Sequence, residues 1–268
     1  MNDIITYNKT RQRRKFLLTG GKLGIMALGM GIVIPKKSMA GLIPLYESSR
    51  SGIILGKQIT LTAFSGSRLQ SKKALSTAFT EMESLAEQIK KWNIGPEQLM
   101  ADPGLSVPGL PKKIKNLRNI AGKPPFMGKG HFGLVLGYML DTGACCLARN
   151  GAIRVLAGSD GCVRAIGGKG PGKAFIKNIE FVNGTQKIPL EDGAVSCSHA
   201  LDKEKNNGIK SAVVTALDAT EATALSGALL HMDPETGLKL MEKRPYTQCL
   251  IIKNNGQPCV TQGWPILS

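Results

Sequence analysis

Histidine is scarce in this chain: three in 268 residues, at 131, 199 and 231, none with a partner at helical i, i+4 spacing. A histidine-based metal triad therefore finds no support, and each of the three reads as a surface residue or a satisfied core residue. The six cysteines (Cys145, Cys146, Cys162, Cys197, Cys249 and Cys259) lack any CxxC spacing, which removes the commonest zinc and dithiol signatures. Buried apolar thiols, or one or two disulfides, remain open to them. Aromatics make up 5% of the chain and no helix gathers arginines, so nucleic-acid binding has little to rest on. A triad could be drawn from Ser198, His199 and Asp202, but no nucleophile elbow accompanies it. There is no internal repeat.

Acidic residues are also few, 19 against 35 Lys and Arg. Much of that excess sits at the start. Arg13 and Arg14 precede Phe16, Leu17 and Leu18, a weakly apolar Gly-rich run follows from Gly20 to Ile34, and Ser38-Met39-Ala40 fits the small-x-small rule for cleavage. Residues 1–40 are expected to be a twin-arginine-type signal, directing the protein to the periplasm or another exported location, with an ordinary secretory signal or an uncleaved anchor as alternatives. The glycines make the run a poor lasting membrane span. Cleavage there would leave 27 Lys and Arg against 18 Asp and Glu, a net charge of +9 in place of +16. That is a moderately basic surface, suited to an anionic partner, cofactor or membrane face.

Residues 41–52 read as a linker and 53–268 as a single domain. Ile59, Leu61 and Ala63 alternate with Thr60 and Thr62 as a strand should. Ala74, Leu75, Ala78, Phe79, Met82, Leu85, Ala86, Ile89 and Trp92 form one apolar helical stripe, stopped by Gly95-Pro96. Residues 96–130 are rich in Pro, Gly and Lys and read as irregular. A helix is expected from Leu134 to Ala148, then strands from Ile153, Cys162 and Phe175, with Asn183-Gly184 as a hairpin turn. From Ser211 to Met241 come a short apolar strand, a helix capped by Asp218 with Glu221 three residues on, and a second helix opened by Asp233-Pro234. Strands around Asn254-Asn255-Gly256-Gln257 close the chain. The fold class is α+β, a mainly antiparallel sheet core with packed helices.

Two glycine-rich stretches invite nucleotide readings. Gly128 to Gly133 matches G-x-G-x-x-G, but Lys123 to Met127 is a poor feeding strand. Gly167 to Ala174 nearly spells a phosphate loop, but Ala174 stands where the metal-binding hydroxyl should be.

In order and spacing, Gly52 to Gly66, Leu75 to Trp92, FGLVLGYMLD at Phe132 to Asp141, AGSDGCVRAIG at Ala157 to Gly167, and the Ser211 to Met241 stretch with its closing hairpin resemble the FAD:protein FMN transferase (ApbE-like) family. The resemblance covers most of residues 52–264. It implies a flavin-transferase-like fold, export, use of FAD and magnesium, and attachment of FMN to a Thr or Ser hydroxyl. Gly133, Gly137, Tyr138 and Asp141 match the family's glycine-rich helix start and are the cofactor-binding candidates it implies. The departures fall on the chemistry. The positions of the family's metal-binding Asp and Thr are Thr223 and Gly227, its motif lysine is Leu136, and the aspartate of its Gly-Gly-Asp turn becomes Cys162 or shifts to Asp160. Its His-x-x-Asp-Pro-x-Thr-Gly hairpin is missing before the metal helix. His231 to Gly237 imitates that hairpin, but after the helix.

Three expectations follow. The first is an exported protein of this fold with lost or weakened catalysis, a binding or accessory component for an exported redox protein. The second is an active transferase whose metal is held by Asp160, Asp218 or Glu221, with Lys129 or His131 replacing the lysine. The third is an unrelated basic binding domain.

Overall fold

The computed structural model describes residues 45–91, 117, 131–159, 161–168, 174–181, 184–200 and 208–264. The expected signal segment, most of the Pro/Gly/Lys-rich stretch, Lys129 and Asp160 lie outside them. No helix among the described residues is long and apolar enough to cross a membrane.

Strands β1 (Tyr46–Ile54) and β2 (Lys57–Ser65) open the fold as an antiparallel hairpin. Leu55 and Gly56 both take positive φ, 49° and 73°, the two-residue turn whose twist matches that of the paired strands. The strand corrects the expected linker, because residues 46–52 lie within β1. Its sequence, YESSRSGII, has too few apolar residues to announce a strand. What holds it is pairing with β2, including Ser49 to Thr62 and Ser51 to Thr60 hydroxyl bonds of 2.8 Å across the strands. Arg50 completes the other face by stacking 4.5 Å over the Phe79 ring.

Helix α1 (Arg68–Lys91) buries the expected stripe from Ala74 to Ala86, with Phe79 and Met82 almost fully enclosed and Leu85 and Ile89 partly so; Trp92 lies outside the described residues. Helix α2 (His131–Arg149) is buried along most of its length, which its near-continuous run of Leu, Val, Met, Gly and Ala dictates. Then come β3 (Arg154–Ser159), β4 (Cys162–Ile166), β5 (Phe175–Phe181), β6 (Gly184–Leu190), β7 (Gly193–His199) and β8 (Ile209–Ala216). Helices α3 (Ala219–Leu229) and α4 (Pro234–Glu242) precede β9 (Gln248–Lys253) and β10 (Pro258–Val260). Phe181 pairs with Gly184, so the expected hairpin forms with Gly184 as the first residue of β6, while Asn183 lies outside the described residues.

Eight strands make one sheet in the order β1-β2-β3-β4-β7-β8-β9-β10, and every neighbouring pair is antiparallel. Helices α1 and α2 are inserted between β2 and β3, and α3 and α4 between β8 and β9. Ile59, Leu61, Val155, Ala157, Cys162 and Ala194 face the helices α1 to α3 in one core. Val163, Ala165, Val195 and Val213 point the other way, under the β5–β6 hairpin and Trp264. The sheet is therefore covered on both sides, as the uninterrupted buried run of β4 shows. This is the α+β, mainly antiparallel fold.

Candidate functional site

The residues matched by family resemblance meet where α2 crosses the start of α3. A helix N-terminus presents backbone N–H groups with no partner inside the helix, and here that end is buried. Asp218, in extended conformation, accepts from Glu221 N at 2.9 Å. Asp141 reaches over from α2 and takes two more donors, Ala219 N on Oδ1 and Thr220 N on Oδ2, both at 2.9 Å. The Thr220 hydroxyl also donates to Asp141 Oδ2. Carboxylate charge at this end complements the helix dipole.

Arg164 on β4 approaches from below. Its Nε lies 3.4 Å from Asp141 Oδ1, and its Nη1 donates to Ala165 O at 2.6 Å and Gly193 O at 2.9 Å. Both side chains are over nine-tenths buried, so the pair stands or falls together. Beside it is Cys162, fully buried, its thiol pushed far up by burial and then by the charge of Asp141. Of the two positions where the resemblance places the turn's carboxylate, Cys162 holds a thiol and Asp160 lies outside the described residues.

Gly137 explains how closely the helices approach. A Cβ there would sit 2.5 Å from Ala219 O and also collide with Thr223 Oγ1. Gly133 is looser, with Thr223 Cβ at 3.7 Å. Tyr138 turns away toward α1 and, with Ser76, Thr77, Thr80, Glu81, Leu85 and Thr142, lines an open cleft of about 560 Å³. Three of the four candidates therefore converge on α3, where their observed roles are packing and capping, and the fourth lines a separate cleft.

Thr223 is buried, and its hydroxyl donates back into its own helix, to Ala219 O at 2.8 Å and Thr220 O at 3.1 Å. Gly227 offers no side chain. Hard dications need several oxygen ligands, usually including carboxylate, and this pair does not fit one. The rearranged ligand set fares little better. Glu221 is ion-paired with Arg244 at 2.6 Å, Asp218 is the helix cap, and Asp160 is outside the described residues. Among the described residues no three His, Cys, Asp or Glu are grouped to hold a metal.

Other expectations resolve in the strand pattern. Ser198 and His199 point to opposite faces of β7: Ser198 Oγ lies 2.9 Å from Ser226 Oγ on α3, whereas His199 Nε2 meets Cys197 Sγ at 3.4 Å. Ser198 and His199 are therefore not paired with each other, and Asp202, the third member drawn with them, lies outside the described residues. The six cysteines remain thiols, so the bridges held open for them are not made. His231 to Gly237 spans the turn into α4 and the helix's first four residues, with Asp233 as the cap and His231 held below its ordinary pKa by burial. Two features escaped sequence reasoning. Arg164 sits inside a quoted motif but gave no sign of pairing across the fold. The hydroxyl seam from Ser196 to Ser226, 3.0 Å, and Ser198 lies on β7, too polar to read as a core strand.

No family model matches the sequence, and no curated protein matches it. Solved structures do. The apo form of the flavinyl transferase ApbE from Pseudomonas stutzeri is similar to this chain at a TM-score of 0.61 and 16% identity, over 81% of this chain and 95% of that one. The flavin transferase ApbE from Vibrio cholerae is similar at 0.57 and 14%, over 84% and 100%. At these identities the shared property is the fold, and it extends along nearly the whole length of both relatives.

Proposed function

We propose that this protein is an exported flavin-transferase-fold protein in which metal-dependent FMN transfer is lost or strongly weakened, and which acts as a binding or accessory component of an exported redox system. The observation that carries this reading is the state of α3 at positions 223 and 227. One is a threonine whose hydroxyl is bonded into its own helix and the other a glycine, so the helix keeps its place and offers no carboxylate at either position. The neighbouring acids support it, since Asp141 closes the helix end and Glu221 is held by Arg244. Leu136, where the resembled motif has lysine, is buried. The fold likeness to two flavin transferases supports the class, and the Arg13-Arg14 leader with its Ser38-Met39-Ala40 site supports export.

The test titrates the protein with FAD in the presence and absence of magnesium by calorimetry, then adds a peptide bearing a Thr-containing flavinylation motif and follows flavin label by mass spectrometry. The expected result is no magnesium-dependent gain in FAD affinity and no labelled peptide. Magnesium-dependent label transfer would sink the proposal.

A further inference from the structure

On the face of the sheet away from the helices, β7 sends Val195, Cys197 and His199 in a row from core to solvent. Val195 is buried, Cys197 half-buried at the margin of the apolar cluster under the hairpin, and His199 exposed. Alternation along a strand puts residues i and i+2 on one side, and here it brings Cys197 Sγ to 3.4 Å from His199 Nε2. The scaffold is firm. β7 is paired on both edges, by β4 and β8, and Cys197 N donates to Gly161 O at 2.7 Å. Lys177, on β5 between the buried Phe175 and Ile179, is close enough for its charge to pull the thiol down. Burial works against it and prevails, pushing Cys197 up to about 11.

That combination selects a chemistry. A soft metal ion displaces the thiol proton and binds the sulfur, and the imidazole Nε2 beside it supplies a second donor. The softness of the donors narrows the metal further. Calcium and magnesium take oxygen ligands, which this thiol and imidazole do not offer. Thiolate and imidazole together suit copper, and thiolate favours its monovalent form, which accepts a simple pair of soft donors.

We propose that Cys197 and His199 form a binding site for a soft monovalent cation of the copper(I) class, with thiolate Sγ and imidazole Nε2 as its ligands. Binding exchanges one proton for one monovalent ion: the S–H bond breaks, the sulfur–metal bond forms, the proton goes to solvent, and no oxidation state changes. The resulting thiolate–copper(I) unit carries no net charge, so Lys177 does not repel it. A divalent ion at the same place would leave a net positive charge facing that ammonium. The site is independent of whether the protein handles flavin.

The experiment uses the whole protein under anaerobic, reducing conditions, with copper(I) shared against a chromophoric copper(I) chelator. The wild type is expected to withdraw copper stoichiometrically. Cys197→Ser should weaken competition by more than about a hundredfold, and His199→Gln by about ten- to a hundredfold. Cys259→Ser, which alters another partly exposed thiol, should leave the curve unchanged. A copper(I)-dependent shift of the His199 ring resonances, read by NMR, gives a second measure on the unmutated chain. Failure of the wild type to compete, absence of that shift, or equal competition by Cys197→Ser would each overturn the site.

Discussion

Helices α3 and α4 begin with the same local chemistry and end up held in different ways. Each has an aspartate N-cap whose Oδ1 accepts, at 2.9 Å, the N–H three residues on: Glu221 N for Asp218, Thr236 N for Asp233. Each cap carbonyl then starts the intrahelical ladder, to Ala222 N at 3.1 Å and Gly237 N at 3.0 Å. The difference lies in the remaining donors. α4 places Pro234 first, which has no N–H to satisfy, and opens toward solvent. α3 begins with Ala219 and Thr220, both fully buried, and needs a second carboxylate from another helix. Local sequence sets the cap; burial sets how many further partners the helix end requires.

The sharpest way to break that contrast is to remove the second carboxylate. Asp141→Ala strands two backbone donors and the Thr220 hydroxyl, and leaves Arg164 buried without its counter-charge. Breaking a buried pair in this way costs about 3–5 kcal/mol. Urea unfolding should show the midpoint falling by a large fraction of its wild-type value, since a domain this size has little stability to spare. A loss under about 1 kcal/mol would mean water takes over the caps and that the end of α3 is not sealed.

Gly137→Ala probes the same contact through space. The added methyl meets Ala219 O and Thr223 Oγ1, and because the carbonyl is backbone the helices must separate. Overpacking of this kind costs about 1–3 kcal/mol, against a gain of up to about 1 kcal/mol from alanine's better helix propensity. Gly133→Ala, whose nearest neighbour on α3 is at 3.7 Å, keeps the propensity gain without the clash. Thermal melts should therefore move in opposite directions for the two glycines. Equal shifts would show that propensity alone governs both.

Much of this region was legible beforehand. The capped start at Asp218, Pro234 at the head of α4, the stripe of α1 and the closing turn at Asn254 to Gln257 follow from spacing and turn chemistry, which act over a few residues. Glu221 was expected to complete a capping box, yet its carboxylate goes to Arg244, which is 23 residues away in sequence. β1 and β7 were missed for a shared reason. Their Ser-rich sequences look like loops until cross-strand hydroxyl pairs and α3 supply the partners. The same applies to Asp141, whose family match marked it as a cofactor contact. Only the fold shows that the donors it answers are those of α3.

The smallest effect belongs to α4 and is best read in pH. The Asp233 carboxylate is held below its ordinary value, first by the Thr236 side chain and then by the Thr236 backbone N–H. A depressed folded-state pKa stabilises the folded form above the unfolded-state pKa, and that contribution is lost as pH falls through the lower, folded value. Asp233→Asn should accordingly lose a little stability at neutral pH and converge with wild type as the pH drops below about 4. Because the carboxylate is fully exposed, salt should shrink the difference as well. Melting curves for the pair across that range decide the matter. A gap that persists after Asp233 is protonated would show that the cap works through shape and neutral hydrogen bonding, and would erase the distinction between a charged solvent cap on α4 and a sealed one on α3.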